Sequence, residues 1–366
     1  MTFIKEILTE LEKLAPLPYQ EDYDNAGLLV GSPDTEVTGI LFTLDITEEV
    51  VDEAIRKHCN LIVAHHPVIF KGLKKLNGKN YVERTVIRAI KNDIALYATH
   101  TNLDHVVGGV NWQIARRLGL QNTKVLAPKK QILNKLAFFC PVANTQNILD
   151  ALFEAGAGEI GDYRHCSFRS EGLGTFLPGE NANPVIGARG DLETVNEHRV
   201  EVLLPAHLQA QVLNALKRTH PYEEVAYYMS ALENENQEVG AGAIGELPEP
   251  METADFLAYL KDSMEASVIK YTEPTGRKIR RVAVCGGAGS FLLRNAISAA
   301  ADVYVTADYK YHEFFDAEGR IMICDIGHYE SEVFTKNLLH DYISGKFSNF
   351  ALCLSEISTN PVRYFS

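Results

Sequence analysis

Apolar and polar positions between residues 38 and 120 alternate in a way that predicts strands separated by helices. Short apolar runs, typical of buried strands, lie at Gly39–Asp45, Leu61–Ala64 and Ile94–Ala98. Between the last two runs, apolar residues recur at helical spacing from Val82 to Ile90. Because parallel strands need a crossover of helical length, this alternation predicts parallel βαβ units.

The pattern changes near residue 128. The predicted elements are then, in order, strand, helix, two or more strands, helix and strand, which is the order of a ferredoxin-like module. They are a strand at 135–141, a helix at 145–155, a hairpin of Tyr163–Arg169 with Gly174–Leu177, a strand at 195–204, a helix at 206–218 and a strand at 223–230. Glycine- and proline-containing stretches at 126–130 and 238–250 are predicted to be loops on either side.

Strand and helix alternate again after residue 243, with predicted strands at Arg281–Cys285, Val303–Thr306 and Ile321–Ile326. The fold class is therefore predicted to be α/β. Residues 1–127 and 242–366 are expected to form a discontinuous α/β domain with a mainly parallel sheet built from both chain ends. Residues 128–241 are expected to form an inserted ferredoxin-like α+β domain.

Charge and cysteine content narrow the classes of partner and compartment. The 366 residues carry a formal net charge of -13, which argues against nucleic acid as the main partner. Six scattered cysteines without Cys-x-x-Cys spacing are typical of buried thiols in a reducing compartment. No apolar run approaches the ~20 residues of a membrane span, and the N-terminus reads as an amphipathic helix. We expect a cytoplasmic protein that does not enter a membrane.

Three apolar runs end in residues that can bind metal. His65 and His66 follow the run Leu61–Ala64 and precede Pro67, which holds His66 extended. His100 and Asp104 follow the run Ile94–Ala98. His328 and Glu332 follow the run Ile321–Ile326 and, four residues apart, share one helical face.

Ligands collect beyond the carboxyl ends of strands in open parallel sheets, so the three segments predict one shared metal site. Each segment alone has a structural explanation: hydrogen-bonded loop histidines, a helix-capping Asp104, and a surface ion pair between His328 and Glu332. Five ligands, His65, His66, Asp104, His328 and Glu332, exceed the three protein ligands of a typical open zinc site. Two divalent metal ions bridged by a carboxylate are therefore predicted, and the donors suit zinc, iron, manganese or cobalt.

Three other segments carry weaker signals. Asp308 and His312, four residues apart after a strand, are candidates for proton transfer or for orienting a ligand, or else a helix cap and a packed ring. Cys285–Ser290 is glycine-rich at a strand end, where a phosphate cradle is possible but tight-turn glycines are the better default. Asp24–Gly27 is predicted to be a turn that enters an edge strand.

These motifs resemble the NGG-interacting factor 3-like family, whose bacterial members are labelled GTP cyclohydrolase 1 type 2 homologs. The similarity covers essentially the whole chain. It is carried by four segments, Asp24–Gly31, Ala64–Phe70, Thr99–Asp104 and Gly327–Glu332. The inserted region, with Gly161–Tyr163 and His220–Ala226, resembles the PII/CutA-like domain of longer members.

The resemblance implies a role for each motif residue and a way of assembling. His66 and Asp104 would hold one metal and His65 and His328 the other, with Glu332 bridging them. His100 would stand beside the pair to orient a ligand or handle a proton. Members form ring-shaped homohexamers with metal sites that face an internal cavity.

The leading functional hypothesis is a metal-dependent hydrolase that acts on a small, nucleotide-like substrate, with His312 or His100 moving the proton. The alternative is a non-catalytic, metal-dependent regulator or assembly protein whose inserted domain senses a small molecule. Nucleic-acid processing is a third option, which the negative net charge disfavours.

Overall fold

A computed structural model describes residues 1–365 of the chain. The chain divides into two compact units: residues 1–127 together with those from Glu238 onward, and residues 128–237. Each unit has its own sheets and its own buried core. Within the described residues, no helix is both long and apolar enough to cross a membrane.

The strands are β1 (Gly27–Val30), β2 (Gly39–Thr43), β3 (Leu61–Ala64), β4 (Ala95–Ala98), β5 (Gln121–Lys129), β6 (Leu133–Pro141), β7 (Ser167–Phe176), β8 (Glu193–Pro205), β9 (Tyr227–Leu232), β10 (Asn236–Met251), β11 (Lys270–Tyr271), β12 (Ile279–Ala288), β13 (Val303–Ala307), β14 (Met322–Asp325) and β15 (Ala351–Leu354).

The helices are α1 (Ile4–Leu14), α2 (Glu48–Arg56), α3 (Tyr81–Lys91), α4 (Thr101–Asp104), α5 (Val110–Arg117), α6 (Thr145–Glu154), α7 (Gln209–Thr219), α8 (Thr253–Ser263), α9 (Leu293–Ser298), α10 (His328–Glu332) and α11 (Thr335–Ser344). Short 3-10 helices lie at Leu17–Tyr19, Val142–Asn144, Ala206–Leu208, Ser290–Leu292 and Tyr311–Ala317.

The first sheet of the larger unit has the strand order β1-β4-β3-β2-β15. Strands β2, β3 and β4 are mutually parallel, and every residue in them is buried, as expected for parallel strands covered on both faces. The N-terminus of α2 is capped by Thr47, whose hydroxyl accepts from the Val50 amide. Strand β1 pairs antiparallel with β4 at one edge, so the predicted edge strand after Asp24–Gly27 is present.

The second sheet of this unit has the order β11-β14-β13-β12-β10-β5. Strands β12, β13 and β14 are parallel, whereas β10 and β11 pair antiparallel with β12 and β14. The α/β class predicted from sequence is confirmed, but the larger unit contains two sheets instead of the single expected sheet. Both sheets include strands from both chain ends, because β15 joins the first sheet and β5 joins the second.

The segment 238–250 is a strand and not the predicted loop. Its glycines and prolines suggested a break, yet β10 pairs with β12 from Ala243 to Glu246 and again at Met251. Gly242 has a φ of +66°, and a side chain there would collide with Leu292. The glycine therefore serves close packing inside a strand, which a local pattern cannot separate from a turn.

The smaller unit is an antiparallel sheet of order β7-β8-β6-β9, with α6 and α7 on the face that carries Val200, Val202 and Leu204. The predicted hairpin at 163–177 is wrong, because residues 167–176 form one continuous strand that pairs along β8. Gly172 and Gly174 suggested a turn but lie in the middle of this strand.

Candidate metal centre

Candidate ligands follow the carboxyl ends of parallel strands from both sheets of the larger unit. His65 and His66 come directly after β3, and Asp104 ends the short helix α4 after β4. On the second sheet, β14 is followed by α10, which begins at His328 and ends at Glu332. The structure brings these five side chains together, as the strand-end argument expects.

The adjacent histidines converge because the backbone turns where β3 stops. The amides of His65 and His66 both donate to the Leu44 carbonyl, at 3.1 and 2.9 Å. An extended strand would direct the two side chains to opposite faces. Here their ring centroids are 4.9 Å apart, so both imidazoles face the same site.

Two histidines approach one oxygen of Glu332. His66 Nε2 lies 2.9 Å and His328 Nε2 3.0 Å from Glu332 Oε2. The two Nε2 atoms are 3.3 Å apart. These three donors form one half of the cluster.

His65 and Asp104 approach the other oxygen. His65 Nε2 lies 3.8 Å from Glu332 Oε1 and 3.6 Å from Asp104 Oδ1. Among the described residues, both ring nitrogens of His65 and Asp104 Oδ1 are buried without a hydrogen-bond partner. Leaving such atoms unpaired in the interior is costly, so they fit a bound cation.

This grouping differs from the one that the family resemblance implies. By distance His66 lies beside His328 and His65 beside Asp104, whereas the resemblance pairs His66 with Asp104 and His65 with His328; ligand atoms of His65, His66 and Glu332 also lie within 4.8 Å of one another. Both groupings use Glu332 between them. The reason is the turn after β3, which directs His65 toward α4 of the first sheet and His66 toward α10 of the second.

Two carboxylates orient the histidines of the first half. Asp45 Oδ1 is 2.7 Å from His66 Nδ1, and Asp308 Oδ2 is 2.7 Å from His328 Nδ1. Burial opposes a charge on both rings, but these hydrogen bonds and those to Glu332 raise the pKa of His66 to about 9 and that of His328 to about 11. With Nδ1–H donated to a carboxylate, Nε2 is the atom left for a metal.

The second half has the opposite electrostatics. Burial lowers the pKa of His65 to about 4, so its ring is neutral, which is the form that binds metal. Burial and the nearby Glu332 charge raise the pKa of Asp104 well above its usual value. Burial also opposes ionisation of Glu332, but its interactions with the rings of His328, His65 and His66 hold its pKa well below the ordinary value.

His100 stands beside the cluster, with its ring centroid 5.5 Å from that of His65 and 5.6 Å from that of His66. Its Nδ1 is 2.6 Å from Asp24 Oδ1, and Asp24 Oδ2 accepts from the Thr101 amide. Burial opposes ionisation of Asp24, but the hydrogen bonds from His100 and Thr101 lower its pKa to about 2.

Asp24 and Asp45 are site residues that the sequence interpretation missed. The sequence places Asp24 in a predicted turn and in a family motif, and Asp45 at the end of a predicted strand, without indicating a role at the site for either. Asp45 carries the same signal that identified the histidines, a polar residue at the end of an apolar run. Asp24 carries no local signal, because its partner His100 lies 76 residues away.

His312 is not brought to the cluster. It is exposed in the 3-10 helix Tyr311–Ala317, where its ring lies 5.2 Å from that of Tyr311 and 6.3 Å from that of Phe315. Asp308, four residues earlier, does reach the site. The spacing misled because Asp308 precedes the 3-10 helix and has a φ of +58°, so the two residues do not share a helical face.

The glycine-rich segment 285–290 supports Glu332 instead of cradling a phosphate. The Gly287 amide donates to Ser331 Oγ, and the Gly286 amide donates to Asn111 Oδ1. Gly287 has a φ of +60°, and a Cβ there would lie 2.5 Å from Glu332 Oε1. Glycine at this position therefore leaves room for the carboxylate.

The cluster opens into a cavity of about 790 Å³. His66, His100 and His328 line it on the metal side, and Phe70 and Tyr364 contribute apolar surface. Lys270 brings a cation to the wall, where its Nζ lies 2.6 Å from Asp325 Oδ2. This volume is ample for a small organic ligand.

Comparisons with known proteins agree over the full length. The family described as Duf34/NIF3 (NGG1p interacting factor 3) matches residues 2–361. A Bacillus subtilis protein named GTP cyclohydrolase 1 type 2 homolog is 37% identical over 365 residues, which cover 98% of each chain. A Staphylococcus aureus protein of the same name is 35% identical over 365 residues, which cover 99% of each chain.

Solved structures of related proteins are also similar to this chain over nearly its whole length. A Bacillus cereus protein related to NIF3 is 40% identical with a TM-score of 0.87, over 100% of this chain and 99% of that one. A Staphylococcus aureus protein is 32% identical with a TM-score of 0.79, over the same shares. The resemblance identified from sequence motifs is thereby confirmed, and the chain belongs to the Duf34/NIF3 (NGG1p interacting factor 3) family.

Proposed function

We propose that the larger unit holds two divalent metal ions and acts as a metal-dependent hydrolase on a small, nucleotide-like substrate. The observation that carries this proposal is the division of five donors into two sets around the two oxygens of Glu332. A carboxylate bridge of this kind suits a pair of metals about 3.5–4 Å apart. The donors are imidazoles and carboxylates, so zinc, iron, manganese and cobalt all remain suitable.

The side chains of the cluster would supply donors to two separate metal ions. His66 and His328, oriented by Asp45 and Asp308, would offer Nε2 to one ion, and His65 with Asp104 would offer donors to the other. When bound, divalent metal ions supply Lewis-acid activation of water and of a substrate oxygen. The buried carboxylate of Glu332 would hold both ions at a fixed separation.

His100 is the proposed proton-transfer residue. Asp24 engages its Nδ1, so Nε2 is the ring atom that can exchange a proton with a substrate in the cavity. It replaces His312 in this role, because His312 is exposed and packs against Tyr311 and Phe315. A positioned histidine of this kind contributes about 10²–10⁴-fold to a rate.

The proposed substrate class is supported by the residues that line the cavity and by the names of the related proteins. Phe70, whose ring centroid is 6.0 Å from that of His100, can face a planar base. Bound divalent ions would attract an anionic group such as a phosphate, whereas Lys270 is already paired with Asp325. The name GTP cyclohydrolase 1 type 2 homolog, carried by relatives 35–37% identical, agrees with a nucleotide-like substrate.

The test is turnover of a nucleotide and phosphoester panel by metal-replete protein, with Glu332→Gln, His100→Gln and the surface control Asp52→Asn compared in parallel. We expect Glu332→Gln to lose metal and activity together, His100→Gln to keep metal but lose about 10²–10⁴-fold in kcat, and Asp52→Asn to match the wild type. No turnover across the panel, or full activity in Glu332→Gln, would refute the proposal.

A second candidate function is a metal-dependent regulator without catalytic activity. It is favoured by the compact unit 128–237, which has its own core. We propose that this unit is an inserted ferredoxin-like, PII/CutA-like domain, because its strand order β7-β8-β6-β9 matches a βαββαβ arrangement with two helices on one face. A small molecule that changed metal occupancy without turnover would favour this candidate.

We propose a homohexameric ring in the cytoplasm, with no nucleic-acid or membrane partner, on the basis of the family resemblance and the net charge of -13. Light scattering coupled to size-exclusion chromatography measures the oligomeric state directly. A monomer at micromolar concentration would contradict the ring.

A further inference from the structure

The smaller unit contains a cavity of its own, with a volume of about 450 Å³. This lies within the size range of small-molecule sites. The side chains relevant to ligand chemistry are three aromatic rings and three carboxylates: Phe139, Phe176, Tyr222, Glu197, Glu223 and Glu224. The lining includes no lysine, arginine or histidine within the part of the chain that the structure describes.

Glu197 is buried on a sheet face where a charged residue would normally be solvated. It lies on β8 on the face opposite to Val200 and Val202, which pack against the helices. Arg199, on the same face as Glu197, is exposed, whereas Glu197 is only 9% exposed. Residues 177–186 line the same cavity and account for this difference.

The carboxylate of Glu197 has no cationic partner among residues 1–365. His220 is the titratable ring nearby, but its Nδ1 accepts from the Tyr222 amide and its Nε2–H donates to the Phe139 carbonyl. That arrangement makes the ring neutral, and burial lowers its pKa. The Glu197 carboxylate therefore has no counter-charge in the cavity lining, and the polar group that meets it there is the Tyr222 hydroxyl.

The backbone leaves room for this carboxylate. A Cβ at Gly174 on the neighbouring strand would overlap Glu197 Oε2. The Tyr222 hydroxyl is buried beside the same carboxylate, and burial together with its contact to Glu197 raises its pKa. The Phe176 and Tyr222 ring centroids are 5.9 Å apart, so their faces and the carboxylate border one space.

We propose that this cavity binds a small organic cation, an ammonium group carried on an apolar or aromatic body. The ammonium would pair with Glu197, and the body would lie against Phe176 and Tyr222. Aromatic faces attract cations, and three carboxylates without a lysine or arginine give the cavity a negative potential. A divalent metal ion fits less well, because calcium takes six or more oxygen ligands and zinc three or four protein donors.

The experiment uses full-length protein with 2-phenylethylammonium as the probe and 2-phenylethanol as its neutral analogue. Binding is measured by calorimetry and by saturation-transfer NMR for the wild type, Glu197→Gln and the control Glu201→Gln. Glu201 is four residues along β8 on the same sheet face, and it does not line the cavity. We expect saturable ammonium binding, weaker alcohol binding, and a loss of at least about tenfold only in Glu197→Gln.

Two further variants keep the test decisive. If Glu197→Gln does not fold, as judged by circular dichroism, Phe176→Leu takes its place and should weaken the ammonium by about three- to tenfold. Ammonium binding should persist in Glu332→Gln, which separates this site from the proposed metal centre. Absence of saturable binding, equal affinity for the alcohol, or displacement of the ammonium by Ca²⁺ or Mn²⁺ would overturn the proposal.

Discussion

Replacing Asp45 and Asp308 with asparagine tests how the donors are shared between the two proposed metal ions. Asp45 is 2.7 Å from His66 Nδ1, and Asp308 is 2.7 Å from His328 Nδ1. Both histidines direct Nε2 at the same oxygen of Glu332. We therefore expect both replacements to weaken one and the same metal ion and to leave the other ion unaffected.

The expected loss of metal affinity follows from the contacts between each aspartate and its histidine. A carboxylate partner of a ligating histidine contributes about 10- to 100-fold to metal affinity, or about 1.4–2.8 kcal/mol. The Asp308 side chain is 50% exposed and that of Asp45 is 32% exposed, so solvent screens Asp308 more strongly. We expect about 10-fold for Asp308→Asn, about 30-fold for Asp45→Asn, and about 300-fold for the double variant, because the two act through different histidines.

The assay is a competition titration. Metal-free protein is loaded with two equivalents of Zn²⁺, and a chromophoric chelator of graded strength reports each equivalent released. Both single variants and the double variant should lose one equivalent more readily while the second leaves at wild-type affinity. Asp52→Asn, which removes a surface ion pair with Arg88, is the matched control.

The alternative sharing of donors gives a different result. If His66 shared its ion with Asp104 and His65 shared its ion with His328, Asp45→Asn and Asp308→Asn would weaken different ions. The double variant would then release both equivalents more readily. That outcome would refute the grouping argued from the distances between the donor atoms.

Two other sites give predictions of their own. Gly287→Ala should displace Glu332 Oε1, because the added Cβ would lie 2.5 Å from that oxygen. The metal content measured by elemental analysis should then fall from two ions to one, and two retained ions would contradict this. Glu53→Gln should lower the free energy of unfolding by about 1–3 kcal/mol in urea titrations at pH 7, because the buried carboxylate accepts from Ser355 Oγ and the Glu356 amide. Burial opposes ionisation of Glu53, but these hydrogen bonds lower its pKa below the ordinary value of 4.5. The stability that the Glu53 carboxylate contributes is therefore fully present above pH 4.5 and is lost as the pH falls through the lowered pKa. In Glu53→Gln that acid-dependent loss should be smaller, and an unchanged pH profile would show that Glu53 is not its source.

Features fixed by short-range chemistry could be predicted from the sequence. Apolar runs identified β2, β3, β4 and β13, since buried parallel strands need nothing more than continuous apolar residues. The four-residue spacing of His328 and Glu332 gave the correct helical pair, because both lie on one turn of α10. The family could also be identified, since its motifs are local.

Strand pairing, by contrast, depends on partners far away in the chain. The segment 238–250 has the composition of a loop, and only β12 makes it a strand. Residues 167–176 contain glycines typical of a turn, yet β8 holds them in one strand. In both cases tertiary hydrogen bonds outweighed a local preference.

The sequence by itself determined which residues could bind metal, because a histidine or carboxylate at a strand end is a local feature. Only the tertiary structure decided which of them share an oxygen. His66 meets Glu332 across 266 residues and His328 across 262, and these contacts depend on how two separate sheets face each other within the larger unit. The same placement gave Asp24 and Gly287 their roles and left His312 in solvent. Which donor atoms become neighbours is set by packing, and spacing along the chain does not encode it.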